Sequence, residues 1–182
     1  MREEKKRGKS KGFTILETML ALVVLGIGVL GLAAMLADSL AYMQGSQDDF
    51  IAQQKAEEAA EAIYTAKYTN TAPFSAISNF GVGNPGGLFL PGALPLLQPG
   101  PDGLVGSVAD VGQPAEYILY PGPDNKLGTG DDVKVPLTNF TRTITITDVP
   151  GYTTLRQVDI TMNYTTGRFN RSYTLTTFVS QF

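Results

Sequence analysis

The chain contains no cysteine, no histidine and no tryptophan. Without cysteine there is no disulfide, so a fold placed in an oxidising compartment has to stand on packing alone. The joint absence of cysteine and histidine excludes the Ser/His/Asp and Cys/His nucleophile systems and the usual zinc ligand sets. Carboxylates remain, but no two of them fall in an apolar, pocket-like context, and an enzyme is not expected. Basic residues are also scarce outside one short stretch. Arg2, Lys5, Lys6, Arg7, Lys9 and Lys11 stand beside only Glu3 and Glu4, and the rest of the chain holds eight basic against fifteen acidic residues. That body carries a net −7, compared with −3 for the whole chain. It argues against general phosphate-backbone binding, which needs clustered Lys and Arg; a small local basic patch around Arg168 and Arg171 is compatible with it.

What is present instead is one long uncharged run. Residues 19–37 contain neither a charge nor a proline, and at about 1.5 Å per residue a helix of that length crosses a ~30 Å hydrocarbon core. Short positively charged flanks stay in the cytoplasm, so everything after the run is expected on the outer face. The ordinary alternative is a secretory signal peptide cut after Ala41, with Ser39 and Ala41 as its small-residue pair. Two features oppose it. The run exceeds the ~7 to 15 residues usual for such a segment, and Glu17 sits at its threshold. A carboxylate there is costly unless it reaches water, takes up a proton or meets a cation.

The stretch "KGFTILE", residues 11–17, resembles the leader of type IV prepilins and type II secretion pseudopilins, which is cut between glycine and phenylalanine, before the apolar segment. The resemblance implies that prepilin peptidase removes residues 1–12 between Gly12 and Phe13, that the new amine of Phe13 is N-methylated, and that Glu17 becomes the fifth mature residue. In the family that carboxylate pairs with the N-terminal amine of a neighbouring subunit during assembly, so Glu17 would lack its partner until the filament grows. Residues 21–35 and 167–180 further resemble the PilV-like minor pilins, leaving the centre of the chain unmatched.

The resemblance implies the pilin fold, and periodicity supports the same α+β class independently. Residues 38–68 are alanine-rich and charged, and Ala52, Ala56, Ala59, Ile63 and Ala66 fall on one narrow helical face. One long helix over residues 13–68 is expected, its first half transmembrane and its second packed on a sheet. Gly26, Gly28 and Gly31 interrupt the apolar half; close helix approach and local melting during assembly are both compatible with them. Residues 69–115 are rich in glycine and proline and should form an irregular connection. Its Phe74, Phe80, Phe89, Leu90, Leu94, Leu96 and Leu97 require cover, so it is expected to wrap the domain. Residues 116–182 read as an antiparallel sheet of three or four strands. Val158, Ile160, Met162 and Tyr164 alternate with polar residues, as do Tyr173, Leu175, Thr177 and Val179 after a turn near Thr166 and Gly167; "FTRTITITDV" adds a strand and "AEYILY" a short one.

One loop carries metal-ligand chemistry. Residues 121–133, "PGPDNKLGTGDDV", bring Asp124 into range of Asp131 and Asp132 through turn-forming glycines, and calcium takes six to eight oxygen ligands from such loops. The segment also resembles the acidic loop of calcium-binding pseudopilins, with Asn125 where a glycine is common. A solvated turn uses the same residue types. Residues 99–111 align with this loop without a gap at an offset of 22, but Ala109 stands where Asp131 does. The first copy should therefore bind calcium weakly or not at all, unless the two loops share an ion. Taken together, the resemblance implies a minor pilin of a type IV pilus, held in the inner membrane with its N-terminus cytoplasmic and then assembled with other pilins by an inner-membrane platform. The alternatives are a type II secretion pseudopilin and, from another class, a monomeric membrane-anchored calcium-dependent binding module or adhesin.

Overall fold

The computed structural model describes residues 12–81, 86–167 and 169–182, so most of the expected leader and Arg168 lie outside the described residues. The chain divides into two compact units, residues 1–43 and 44–182. A single helix, α1 (Ile15–Tyr68, 54 residues), contributes to both. It ends where expected and starts two residues after the expected residue 13, and Gly26, Gly28 and Gly31 do not interrupt it. A methyl group at any of these three would meet no neighbour.

In the first unit the described residues are exposed throughout, including Leu20, Leu25 and Leu30 at more than 60%. A helix apolar on all sides has no water-soluble face. This one is long and apolar enough to cross a membrane.

The second unit is a helix on a sheet. From Gly45 onward α1 buries one narrow face, with Ala52, Ala56 and Ala59 fully covered and Ile63 and Ala66 nearly so. These are the five residues of the expected stripe. Facing them is a four-stranded sheet in the order β1 (Leu94–Pro95), β4 (Phe140–Asp148), β5 (Leu155–Thr166), β6 (Phe169–Ser180), every neighbouring pair antiparallel. The register sets Ile144 beside Ile160 and Ile160 beside Leu175, and in the next row Arg142, Met162 and Tyr173. Because side chains alternate across a strand, these rows lie on one face, and Val158, Ile160, Met162 and Val179 are buried there. Phe140 stacks on Tyr164 with ring centroids 5.2 Å apart.

Parts of the connection run along the edge of the sheet and complete it. β1 pairs with Thr141 and Arg142 of β4. Further along the same edge Asn79 takes the place of a strand, its Nδ2 donating to Ile144 O and its Oδ1 accepting from Ile146 N, both at 2.7 Å. Phe89 and Leu96 fill the space beneath, while Phe80 remains 45% exposed. The "AEYILY" strand does form, as β2 (Tyr117–Tyr120), but it pairs with β3 (Val133–Pro136) in a separate two-stranded sheet. The reason is that the edge of β4 is already occupied by β1 and Asn79, so the hairpin that carries the acidic loop closes on itself.

A buried ionic group holds connection, sheet and helix in register. Glu116 accepts from Arg142 Nη2 at 2.8 Å through Oε1 and pairs with Lys55 Nζ at 2.8 Å through Oε2; Lys55 also reaches Glu58. The Glu116 and Arg142 side chains are only 5% and 3% exposed. Burial works to lower the Lys55 pKa, but Glu116 and Glu58 outweigh it and hold the ammonium above its ordinary value. Arg142 Nη1 is buried without a hydrogen bond, so this group specifies position more than it adds net stability. Arg142→Met is expected to cost about 3 kcal/mol by leaving buried Glu116 Oε1 without its donor and only Lys55 to neutralise the carboxylate, whereas adding Glu116→Leu should recover most of that loss. Urea unfolding of the two variants checks this; a double variant no more stable than the single one contradicts it.

Candidate functional site

At the start of its part in the second unit, α1 is tied to the β5–β6 hairpin through Asp48 and Asp49, two residues that sequence reasoning did not single out. Tyr164 donates to Asp49 Oδ1 at 2.5 Å, Arg171 Nη1 donates to Asp49 Oδ2 at 2.7 Å, and Thr166 donates to Asp48 Oδ2 at 2.7 Å. Gly45 is buried beneath the Arg171 guanidinium, which a methyl group there would approach to 3.3 Å. Arg171 is therefore part of an ion pair and does not act as half of a free basic patch. Tyr164 and Asp49 each hold the other's protonation state. The tyrosine's hydrogen bond, more than Arg171, keeps the Asp49 carboxyl below its usual range. Burial, together with Asp49, pushes the Tyr164 hydroxyl up to about 12. The two aspartates three and four places after Gly45, preceding the alanine stripe by one turn, were the available signal, but a pair of acids on a helix ordinarily faces water.

The acidic loop and its twin share one backbone. In the first copy Leu104 N donates to Asp102 Oδ1, while Gly106 N and Ser107 N donate to Asp110 Oδ2. In the second copy, 22 residues on, Lys126 N donates to Asp124 Oδ1, and Gly128 N and Thr129 N donate to Asp132 Oδ2. Gly103 and Asn125 occupy the left-handed region at equivalent places, with φ of 69° and 54°. A side chain at Gly100 or Gly122 would collide with the residue nine places later in either copy. The difference is solvent. Leu104, Ser107 and Asp110 are buried, and burial pushes the Asp110 carboxyl up against its three backbone donors. Residues 123–131 are exposed.

In the exposed copy the three expected ligands converge on one hydroxyl. Thr129 Oγ1 lies 2.6 Å from Asp131 Oδ1, 3.4 Å from Asp124 Oδ1 and 3.5 Å from Asp132 Oδ1. Thr129 and the Asp124 N–H hold the Asp131 carboxyl below its usual range. Their oxygens thus already accept protein hydrogen bonds, and no group of three or more acidic side chains is arranged as a metal cage among the described residues.

The third place is the start of α1. Gly12, Phe13 and Thr14 precede the helix, and Phe13 is 80% exposed. Thr14 caps it, its Oγ1 accepting from Glu17 N at 3.3 Å, which satisfies one of the free N–H groups of the first turn. Glu17 lies in that turn, where a negative charge is favoured by the helix dipole. The helix that follows is uncharged for about five turns.

Residues 7–33 match the prokaryotic N-terminal methylation motif.

The motif spans the end of the basic stretch, Gly12, Phe13, Glu17 and the beginning of the apolar helix. It supports a type IV pilin-like or pseudopilin subunit, with the processing by prepilin peptidase and the assembly with other pilins that such a leader implies, and it is consistent with membrane anchoring through α1. The observed arrangement of a long apolar helix continuing into a helix-on-sheet domain is pilin-like. No curated protein and no solved structure matches the chain. The motif's residues and the acidic loop belong to different units, so the structure gathers the expected site residues into two separate groups.

The Tyr164–Asp49 pair generates a pH prediction. Tyr164 has a folded pKa above its ordinary value, so its contribution is complete below about pH 10 and is lost as pH rises through about 12. Asp49 is shifted the other way, and its contribution is lost as pH falls through and below the ordinary carboxylate range. Asp49→Asn should remove the acid-side loss and let Tyr164 ionise at lower pH. Ultraviolet titration of tyrosine, compared with Tyr164→Phe, measures this; an unchanged titration in Asp49→Asn contradicts the pairing.

Proposed function

We propose that this chain is a minor pilin of PilV-like type: a filament subunit that waits in the inner membrane, N-terminus in the cytoplasm, and enters a type IV pilus after its leader is removed. In this organisation residues 1–12 are the leader, residues 13–68 the assembly helix, residues 69–115 the connection and residues 116–182 the sheet domain. The observation that carries the proposal is the methylation motif over residues 7–33, with Glu17 set five places into the mature chain at the mouth of an uncovered apolar helix. Phe13 supplies the methylated amine, and Glu17 is the carboxylate that a neighbour's amine neutralises. Function lies in packing, since an apolar helix withdrawn from lipid is covered again by equivalent helices in a filament core.

A type II secretion pseudopilin is the second reading, favoured by the acidic loop. In that reading Asp124, Asp131 and Asp132 hold calcium, replacing the Thr129 and backbone contacts that now occupy their oxygens. The reading from another class is a monomeric membrane-anchored binding module or adhesin using the same ion; it requires that the leader be retained.

Three outcomes separate these readings. Gly12 replaced by a bulky residue should leave a precursor longer by residues 1–12 and still membrane-inserted, and mass spectrometry should find methylated Phe13 at the wild-type N-terminus; an uncut wild-type leader removes both filament readings. Glu17→Ala should be processed yet poorly incorporated into filaments, with Glu17→Asp intermediate; wild-type incorporation contradicts the pairing role. Calcium should raise the melting temperature of the full chain by mass action, magnesium much less, and Asp131→Ala should abolish most of the effect while Asp110→Ala retains it. Identical melting in chelator and in excess calcium would show the acidic loop to be a solvated turn.

A further inference from the structure

The chain contains three Asn-x-Ser/Thr triplets, and they begin at Asn139, Asn163 and Asn170. Asn163 and Asn170 flank the β5–β6 turn seven residues apart, and Asn139 lies 24 residues before the first of them. The register sets Thr141 opposite Asn163 and Asn163 opposite Ser172, while Thr165 faces Asn170. Asn139, in the turn before β4, donates from Nδ2 to Thr165 O at 3.5 Å, and Thr165 Oγ1 donates to Asn170 Oδ1 at 2.9 Å. All three asparagines and all three hydroxyl residues, Thr141, Thr165 and Ser172, line one shallow depression of about 410 Å³, together with Tyr164 and Arg171, at the corner of the sheet near the β5–β6 turn. The three asparagines are exposed. A solvated sheet face is ordinarily rich in Thr and Asn. That rule does not require every Asn-x-Ser/Thr triplet of the chain to meet at one corner.

We propose that this corner is an N-glycan acceptor site, modified at Asn139 and Asn170. The triplet is the acceptor sequence for asparagine glycosylation, which needs an accessible carboxamide with a hydroxyl two residues on. Asn139 lies in a turn and Asn170 follows the β5–β6 turn closely, so each can leave the ladder locally and enter a transferase. Asn163 is held between β4 and β6 and is spared. The donor is an oligosaccharide carried on a polyprenyl phosphate at the outer face of the membrane. The asparagine nitrogen forms a bond to the anomeric carbon, the bond from that carbon to the phosphate oxygen breaks, the phosphate leaves with the electron pair, and the amide proton passes to a base on the transferase. No oxidation or reduction is involved.

The inference rests on the outward orientation of the sheet domain proposed above. One experiment separates the two. Tryptic digestion of the full chain isolated from its own cell envelope puts the triplets on separate peptides, residues 135–142, 157–168 and 169–171, while the N-terminal peptide reports leader removal and methylation. Added mass in whole sugar residues is expected on both of the peptides holding Asn139 and Asn170 and not on the one holding Asn163. It should be lost from the first in Thr141→Ala but kept in Thr141→Ser, and lost from the second in Ser172→Ala. A methylated N-terminus with both peptides at unmodified mass overturns the glycan site and leaves the filament reading standing; an uncut N-terminus with sugar present does the reverse.

Discussion

The second unit depends on how closely one helix can approach one sheet. Ala52, Ala56 and Ala59 end at Cβ, are fully covered, and share one buried core with the large side chains of β4 and β5, among them Ile144, Val158, Ile160 and Met162. Small residues facing large ones is the way a two-layer core reaches native packing density. A leucine at any of these alanines would have to lift the helix, an overpacking that costs about 1 to 3 kcal/mol. The polar ties at both ends follow from that contact. At one end Asp48 and Asp49 meet Thr166, Tyr164 and Arg171; at the other the Tyr64 hydroxyl donates to Phe178 O at 2.9 Å and Lys67 reaches Phe182 O. None of these bonds could form with the helix a layer farther out.

With the helix on one face, the connection is left to deal with the exposed edge of β4. An unpaired strand edge is a template for unwanted pairing. β1 covers two residues of it, and Asn79 supplies both a donor and an acceptor for the next exposed backbone groups. The glycines and prolines of the connection are thus compatible with an ordered path whose polar groups are satisfied one at a time. The same economy leaves β2 and β3 outside the main sheet, with the acidic loop between them exposed to solvent.

The repeated loop shows how surroundings turn one backbone to two uses. Asp110 and Asp132 receive the same pair of N–H donors. Leu104 is buried where Lys126 is exposed, and Gly106 lies against the Ile144 side chain where Gly128 has open space. The first copy is therefore a structural turn of the core. The second leaves Asp124 and Asp131 exposed and Asp132 half-buried, where water screens the repulsion among them.

The amino-acid sequence by itself determined what depends on neighbours along the chain: the membrane-length run, the methylation motif that holds Gly12, Phe13 and Glu17, the alanine stripe, the alternation in β4, β5 and β6, and the 22-residue loop repeat. Each of these is a local pattern, set by a period of 3.6 or 2 or by turn chemistry within a few residues. Only the tertiary structure decided which strand lies beside which, that Leu94 and Pro95 join the main sheet while Tyr117–Tyr120 leaves it, that Asn79 stands in for a strand, and that Asp49, Tyr164 and Arg171 become one group. The partners that join β1 and Asn79 to β4, and Asp49 to Tyr164 and Arg171, are separated by between 46 and 122 residues. No local periodicity encodes such a pairing, because it is selected by competition for buried positions and for unsatisfied backbone groups once the chain has collapsed.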